Sequence, residues 1–399
     1  MGDYSRRCAE AKTTPCAYRG GMPATDEVID WELAIATANR LVKPGPQVRP
    51  EEAAGVVSDL HKYAAEAVGH VRDVTNLVAP VSAAPILVVD RRGWIQANAN
   101  GLRKVLEPLT DKLQARRSAG SGGGLLTGVG SWVTGLEVGT LLAFLAGKVL
   151  GQYEVFGAAA DSTEIARHNQ EATAESDRGN GHTTSGSLLL IAPNILQVER
   201  ELRVVPRDFR LWVCIHEETH RAQFAAVPWL RDHVAAEVRG FLDETEVDPG
   251  AVLRRLREGL DVLVDTIRGE SDTALIDVVQ TPRQKEILGR LTGVMSLLEG
   301  HADYVMDAVG PQIIPTVADI RKKFQRRRGG TSKLDVAMRR LLGLEAKLRQ
   351  YRDGERFVRT VVDRVGMDGF NRVWTSPNTL PGGAEITDPE SWLRRMGLA

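Results

Sequence analysis

The chain has 399 residues, enough for one large core or two, and its 43% hydrophobic and 26% charged residues exclude a disordered or fibrous protein. A net charge of -1 supplies no general attraction to nucleic acid or to an anionic membrane, so neither is expected as a partner. Three cysteines, Cys8, Cys16 and Cys214, make no disulfide framework, and residues 1–30 hold no apolar leader, so a cytoplasmic protein is expected.

Residues 1–25 carry proline, glycine and charge without periodicity and are expected to form a disordered tail, followed by a single domain over residues 26–395. Asp26 to Leu41 reads as a helix ended by Pro44-Gly45-Pro46. Pro50-Glu51-Glu52 opens a second helix running to about Leu77, since proline and acids suit a first turn. Pro85 to Val89 is a short β-branched run, and Asp90 can cap a helix reaching Leu106. After the Gly/Ser-rich loop Ser118 to Gly124 comes the most apolar stretch, Val129 to Leu150. It holds Glu137 and Lys148, so it reads as a buried core helix rather than a membrane span. Its Gly135, Gly139, Ala143 and Gly147 recur every four residues and leave a smooth groove for close helix packing.

Tyr153 to Phe156 and Ser187 to Ile191 read as two strands of a long hairpin. The stretch between them, residues 158–186, is rich in small polar residues and is expected to be a mobile insertion. Ala192-Pro193-Asn194 ends the second strand, and an edge strand there would suit the addition of an extended peptide.

The next segment is the richest in chemistry. Cys214 to His220 reads H-E-x-x-H, in a helix that Asp208 can cap and Pro228 limits. Residues four apart leave the same face of a helix, so His216 and His220 can bind one Zn²⁺. Glu217 stands beside the first histidine, placed to act as a general base on a water held by that ion. The helix is apolar before and after the motif, hence buried, and two histidines with two glutamates are costly there unless paired or metal-bound. Cys214 in this setting reads as a small core residue.

Helices dominate the rest of the chain. Pro249 to Ile267 is one; Thr281-Pro282-Arg283-Gln284 is a capping box opening a long helix that ends at Gly310-Pro311. The basic run Ile320 to Arg328 reads as a solvated helix end rather than a nucleic-acid patch. Leu334 to Tyr351 and Glu355 to Val365 read as two further helices, and Asn378 to Ala399 as loop with a short final helix. The whole is mainly α with a small β-hairpin or sheet.

A catalytic zinc site takes three protein ligands, and the long helix offers Glu299-Gly300-His301-Ala302-Asp303. Glu299 and His301 lie about 200° apart on it, so both cannot reach one ion. His301 shares its side with Val294, Leu297, Leu298, Val305 and Ala308; Glu299 shares its side with Thr292, Ser296, Asp303 and Asp307. Glu299 is therefore expected as the third ligand, Asp303 as the carboxylate that receives a ligand histidine's other N–H, and His301 as a core residue. Elsewhere downstream of the motif, His233 has no such supporting pattern.

H-E-x-x-H followed by a helix bearing E-x-x-x-D resembles the gluzincin clan of zinc metallopeptidases. The order of further landmarks resembles an actinobacterial family of zincin-like hydrolases, one branch of which is associated with deazaflavin-coenzyme biosynthesis. These landmarks are Val149 to Tyr153, Ala192 to Ile195, Glu299 to Asp303, Lys347 to Tyr351 with Gly354 and Phe357, and Trp374, Pro377, Leu380 and Pro381. The resemblance implies a zincin-like, mostly helical metallopeptidase fold. The expected activity is zinc-dependent cleavage of a peptide or other amide, with His216, His220 and Glu299 on the metal and Glu217 as the base. Tyr351 is the expected donor to the tetrahedral oxyanion, with Tyr304 and His301 behind it. The alternatives are a zincin-fold binding or scaffold protein without turnover, and a narrow amidase serving deazaflavin-cofactor metabolism.

Overall fold

The computed structural model of the protein describes residues 29–78, 85–118, 124–155, 186–244, 282–328 and 344–399, with 113–118, 124–133, 328 and 344–352 described by backbone only. The expected tail 1–25, residues 158–185 of the expected insertion 158–186, the helix 249–267, the capping residue Thr281 and residues 334–343 of the helix expected from Leu334 lie outside these residues. What is described is mostly helix around one three-stranded sheet.

The sheet comprises β1 (Ile86–Val89), β2 (Gly151–Glu154) and β3 (Ser187–Ile191), in the order β1-β3-β2. β1 runs parallel to β3, pairing Ile86 with Leu188 and Val89 with Ile191. β2 runs antiparallel to it, pairing Gly151 with Leu190 and Glu154 with Ser187. The hairpin partners are those expected, but β3 is the central strand, not an edge. Its run Leu188-Leu189-Leu190-Ile191 lacks polar alternation because both faces are covered. Leu189 and Ile191 pack with α1 (Trp31–Leu41), α3 (Arg91–Ser118) and α4 (Gly124–Ala146). Leu190 packs on the opposite side, with α2 (Pro50–Thr75), α5 (Ala192–Leu202) and α6 (Pro206–Ala226).

The caps account for several helix starts. Asp30 Oδ1 accepts the Leu33 N–H at 2.9 Å, and Asp90 Oδ1 accepts that of Gly93 at 2.7 Å. The small-residue stripe of α4 meets α1 as its spacing suggests: a Cβ at Gly139 would lie 2.5 Å from Ala34 O. α5 departs from the expected strand end at Pro193, because proline equally fits the first turn of a helix. Asn194 there is buried and fully engaged. It donates to Ala146 O at 2.7 Å and Val149 O at 2.6 Å, and accepts from Arg91 Nε at 2.6 Å.

α6 starts at Pro206, one turn earlier than a cap at Asp208 would place it. Asp208 lies inside the first turn and instead accepts the N–H and hydroxyl of Thr316, at 3.0 and 2.7 Å. Pro228 stops α6 and opens α7 (Pro228–Asp243). α8 (Pro282–Ala308) then crosses α6. α9 (Val317–Arg328) comes next, and its basic residues mostly tie elements together. Arg321 pairs with Asp307 and Glu355, Lys323 with Asp319, and Arg327 with Glu201 of α5. The described part of the helix expected from Leu334 and the helix expected over Glu355 to Val365 are one, α10 (Leu344–Phe370), bent at Gly366 where φ is 73°. The tail holds α11 (Gly383–Thr387) and α12 (Pro389–Arg395), more helix than expected. Among the described residues no helix is long and apolar enough to cross a membrane.

Candidate metal centre

His216 and His220 leave one face of α6 with their Nε2 atoms 3.2 Å apart. Glu299 reaches them from α8, its Oε2 3.6 Å from His216 Nε2 and its Oε1 3.8 Å from His220 Nε2. The three side chains are between 12% and 22% exposed, so the cluster is lodged in the fold without being sealed from solvent. The separation of the two nitrogens matches the roughly 3.3 Å between two atoms that each lie 2.0–2.1 Å from a tetrahedral ion.

Glu217 is buried beside this cluster. Burial first, and the neighbouring Glu299 charge second, push its carboxyl well above the usual carboxylate range. β2 lies directly over it: a Cβ on Gly151 would sit 2.5 Å from the Glu217 carboxyl carbon. Further along the same strand, the Tyr153 ring stacks on Phe224 of α6 with centroids 5.4 Å apart. Among the described residues β2 pairs on one side only.

The far nitrogens of both imidazoles have partners. His216 Nδ1 lies 3.1 Å from Met306 Sδ and 3.9 Å from Asp303 Oδ1. The Asp303 separation is longer than a hydrogen bond. His220 Nδ1 lies 3.0 Å from Gln223 Oε1. Gln223 Nε2 in turn is 3.0 Å from Leu298 O and 3.0 Å from His301 Nδ1. His301 is fully buried against the rings of Phe370 and Trp374. Burial lowers its pKa to about 3, leaving it neutral. Glu299 and His301 thus do diverge from α8: the carboxylate meets the imidazoles, and His301 stands behind Gln223.

Other candidates fall elsewhere. The Tyr304 ring packs between two apolar clusters, with the Arg359 guanidinium 5.6 Å from its centroid. His233 packs edge-on to Trp229. Cys214 Sγ points to Leu60 O at 3.9 Å, and burial pushes its thiol up. The side chain of Tyr351 lies outside the described ones. Sequence reasoning missed Met306 and Gln223. Gln223 carries a signal, for it stands three residues after His220 on the same helical face; Met306 acts across elements and carries none.

The description of the zincin-like metallopeptidase family matches residues 29–393. The chain belongs to that family. A solved relative of this zincin-like chain is the crystal structure of a candidate hydrolase with a novel fold from Chloroflexus aurantiacus. The two are 28% identical, the match covers 93% of this chain and 99% of that one, and the TM-score is 0.62. Both comparisons point to a hydrolase. A search of curated proteins gave no significant match.

The donor set fits the metal that a zincin-like family implies. Among the described residues His216, His220 and Glu299 form a group able to hold a metal ion, each offering one atom within 4.8 Å of the others. Two imidazole nitrogens and one carboxylate oxygen suit Zn²⁺ in an open site. His216 Nδ1 faces a thioether and a carboxylate, both acceptors, which puts its proton there and leaves Nε2 bare toward the cluster.

Proposed function

We propose that the protein is a zinc-dependent hydrolase that cleaves amide bonds, peptide bonds foremost. The observation that carries this reading is the convergence of His216 Nε2, His220 Nε2 and Glu299 beside a buried Glu217 carboxyl under β2. His216, His220 and Glu299 would hold the ion, and Asp303 would add negative charge behind His216. A bound Zn²⁺ would polarise the substrate carbonyl and lower the pKa of a water toward neutral.

The chain's own groups do the rest. Glu217 takes the proton of the attacking water and delivers it to the leaving amine. Its environment raises its proton affinity, which suits a group that must hold a proton between the two transfers. Among the described residues β2 pairs on one side only, and the other side is an edge along which an extended substrate can add beside the metal cluster. Tyr351 stays the candidate donor to the oxyanion.

The test is turnover by the zinc-loaded chain on a peptide library that includes γ-glutamyl amides. The latter arm probes the narrow amidase suggested by the resemblance to the deazaflavin-associated branch. Zinc-dependent cleavage that Glu217→Gln abolishes is expected. A wild-type chain that binds one zinc and cleaves nothing would favour the scaffold reading instead.

A further inference from the structure

His220 is held by more than its helix, and the hydrogen-bond chemistry around it determines which of its nitrogens carries the proton. A backbone carbonyl can only accept, so the terminal atom of the Gln223 amide 3.0 Å from Leu298 O is the nitrogen. That NH₂ has a second hydrogen, and His301 Nδ1 lies 3.0 Å away to receive it. The amide oxygen is then fixed on the opposite side, 3.0 Å from His220 Nδ1. An amide oxygen only accepts, so His220 Nδ1 carries the hydrogen and Nε2 is bare.

We infer that Gln223 is a positioning residue for the metal centre: oriented by Leu298 O and His301, its oxygen holds the Nδ1 proton of His220 and presents the Nε2 lone pair to His216 and Glu299. His301 completes the chain by offering Nδ1 as an acceptor, which places its own proton on Nε2. That Nε2 has no polar partner among the described residues and is enclosed with the rings of Phe370 and Trp374. Natural folds rarely leave a buried donor unmatched. Here it accompanies the acceptor that keeps the Gln223 amide in one sense. An apolar residue at 301 would leave one amide hydrogen unmet, and a residue offering only donors would turn the amide over.

The use of the bare nitrogen rests on the zinc reading above; the tautomer does not. The test therefore has two readouts on the full-length chain. Long-range ¹H–¹⁵N NMR of the chelator-stripped protein reads the His220 tautomer, and chelator competition reads zinc affinity. Wild type is expected in the Nδ1–H form. Gln223→Leu should shift His220 toward the Nε2–H form and weaken zinc about 10- to 100-fold, as loss of such a partner does. Gln223→Glu keeps an oxygen facing His220, so it should retain the Nδ1–H form and most of the zinc affinity while its melting temperature falls. A merely structural role would make both variants follow stability; positioning makes tautomer and zinc follow the oxygen. A wild-type His220 in the Nε2–H form overturns the inference, and this readout needs no variant to fold. So does a Gln223→Leu protein with unchanged tautomer and zinc affinity. An Nδ1–H wild type that binds no zinc overturns the zinc reading alone.

Discussion

Glu217 and Glu299 are two carboxylates of one site in different surroundings, and their surroundings assign them different work. Glu217 is enclosed under Gly151, while Glu299 faces two imidazoles and is partly exposed. Glu217→Gln keeps the volume and removes the proposed base. It should bind zinc as wild type does and lose about 10²- to 10⁴-fold in kcat. Metal analysis with kinetics on the same sample checks this; a variant that loses zinc would move Glu217 among the ligands. Along α8, Glu299→Gln should weaken zinc more than Asp303→Asn, because the Asp303 oxygen stands 3.9 Å from His216 Nδ1 with Met306 closer. Equal losses in competition titrations would give Asp303 the larger role. The divergence of Glu299 and His301 is legible in the sequence, since about 200° of helix separates them whatever the fold. Met306 and Gln223 are not legible as partners, because what an amide or a thioether touches depends on how helices cross.

At the scale of elements, the site depends on two close approaches that only glycine permits. β2 passes over α6 at Gly151, and α8 passes α10 at Gly300 and Gly354, where an added Cβ would run into the opposite backbone. Gly151→Ala should press on Glu217 and cut kcat while sparing zinc affinity. Unchanged kinetics would mean that the strand yields without moving the carboxyl. Gly300→Ala sits next to Glu299 and should force the helices apart, at a cost of about 1–3 kcal/mol as overpacking does. Denaturant melts check the stability, and a parallel loss of zinc affinity would show that Glu299 moved with the helix. The sequence marks these elements better than their neighbours. The strand β3 is legible but its central place is not, since a continuous apolar run says that both faces are covered without saying by which strands. α5 is hidden because a proline can end a strand or open a helix, and the choice is made by the buried bonds of Asn194.

Across the whole molecule, the cluster of His216, His220 and Glu299 lies where two apolar clusters meet. α6 carries Phe209, Leu211 and Ile215 into one, together with α2 and α5. α8 spans both: Val305 and Met306 join the first, and Val294, Leu297 and Leu298 join the other, together with α7 and α10. The mainly helical class is legible from periodicity, because periodicity is local. The seating of α6 against α8 is not, because it depends on volumes that only meet in the fold. An ion bound by two residues of α6 and one of α8 would tie the two helices together and stabilise only the folded state. Zinc at a thousandfold excess over its Kd should then add about 4 kcal/mol to unfolding, and the gain should grow with the logarithm of free zinc. Thermal melts of the full chain with a chelator and with buffered zinc measure it. Glu299→Gln should flatten the dependence, because the link from α8 is then missing. Zinc that binds stoichiometrically without raising the melting temperature would mean that the unfolded chain holds it equally well, and the folded joint of His216, His220 and Glu299 would then not be its site.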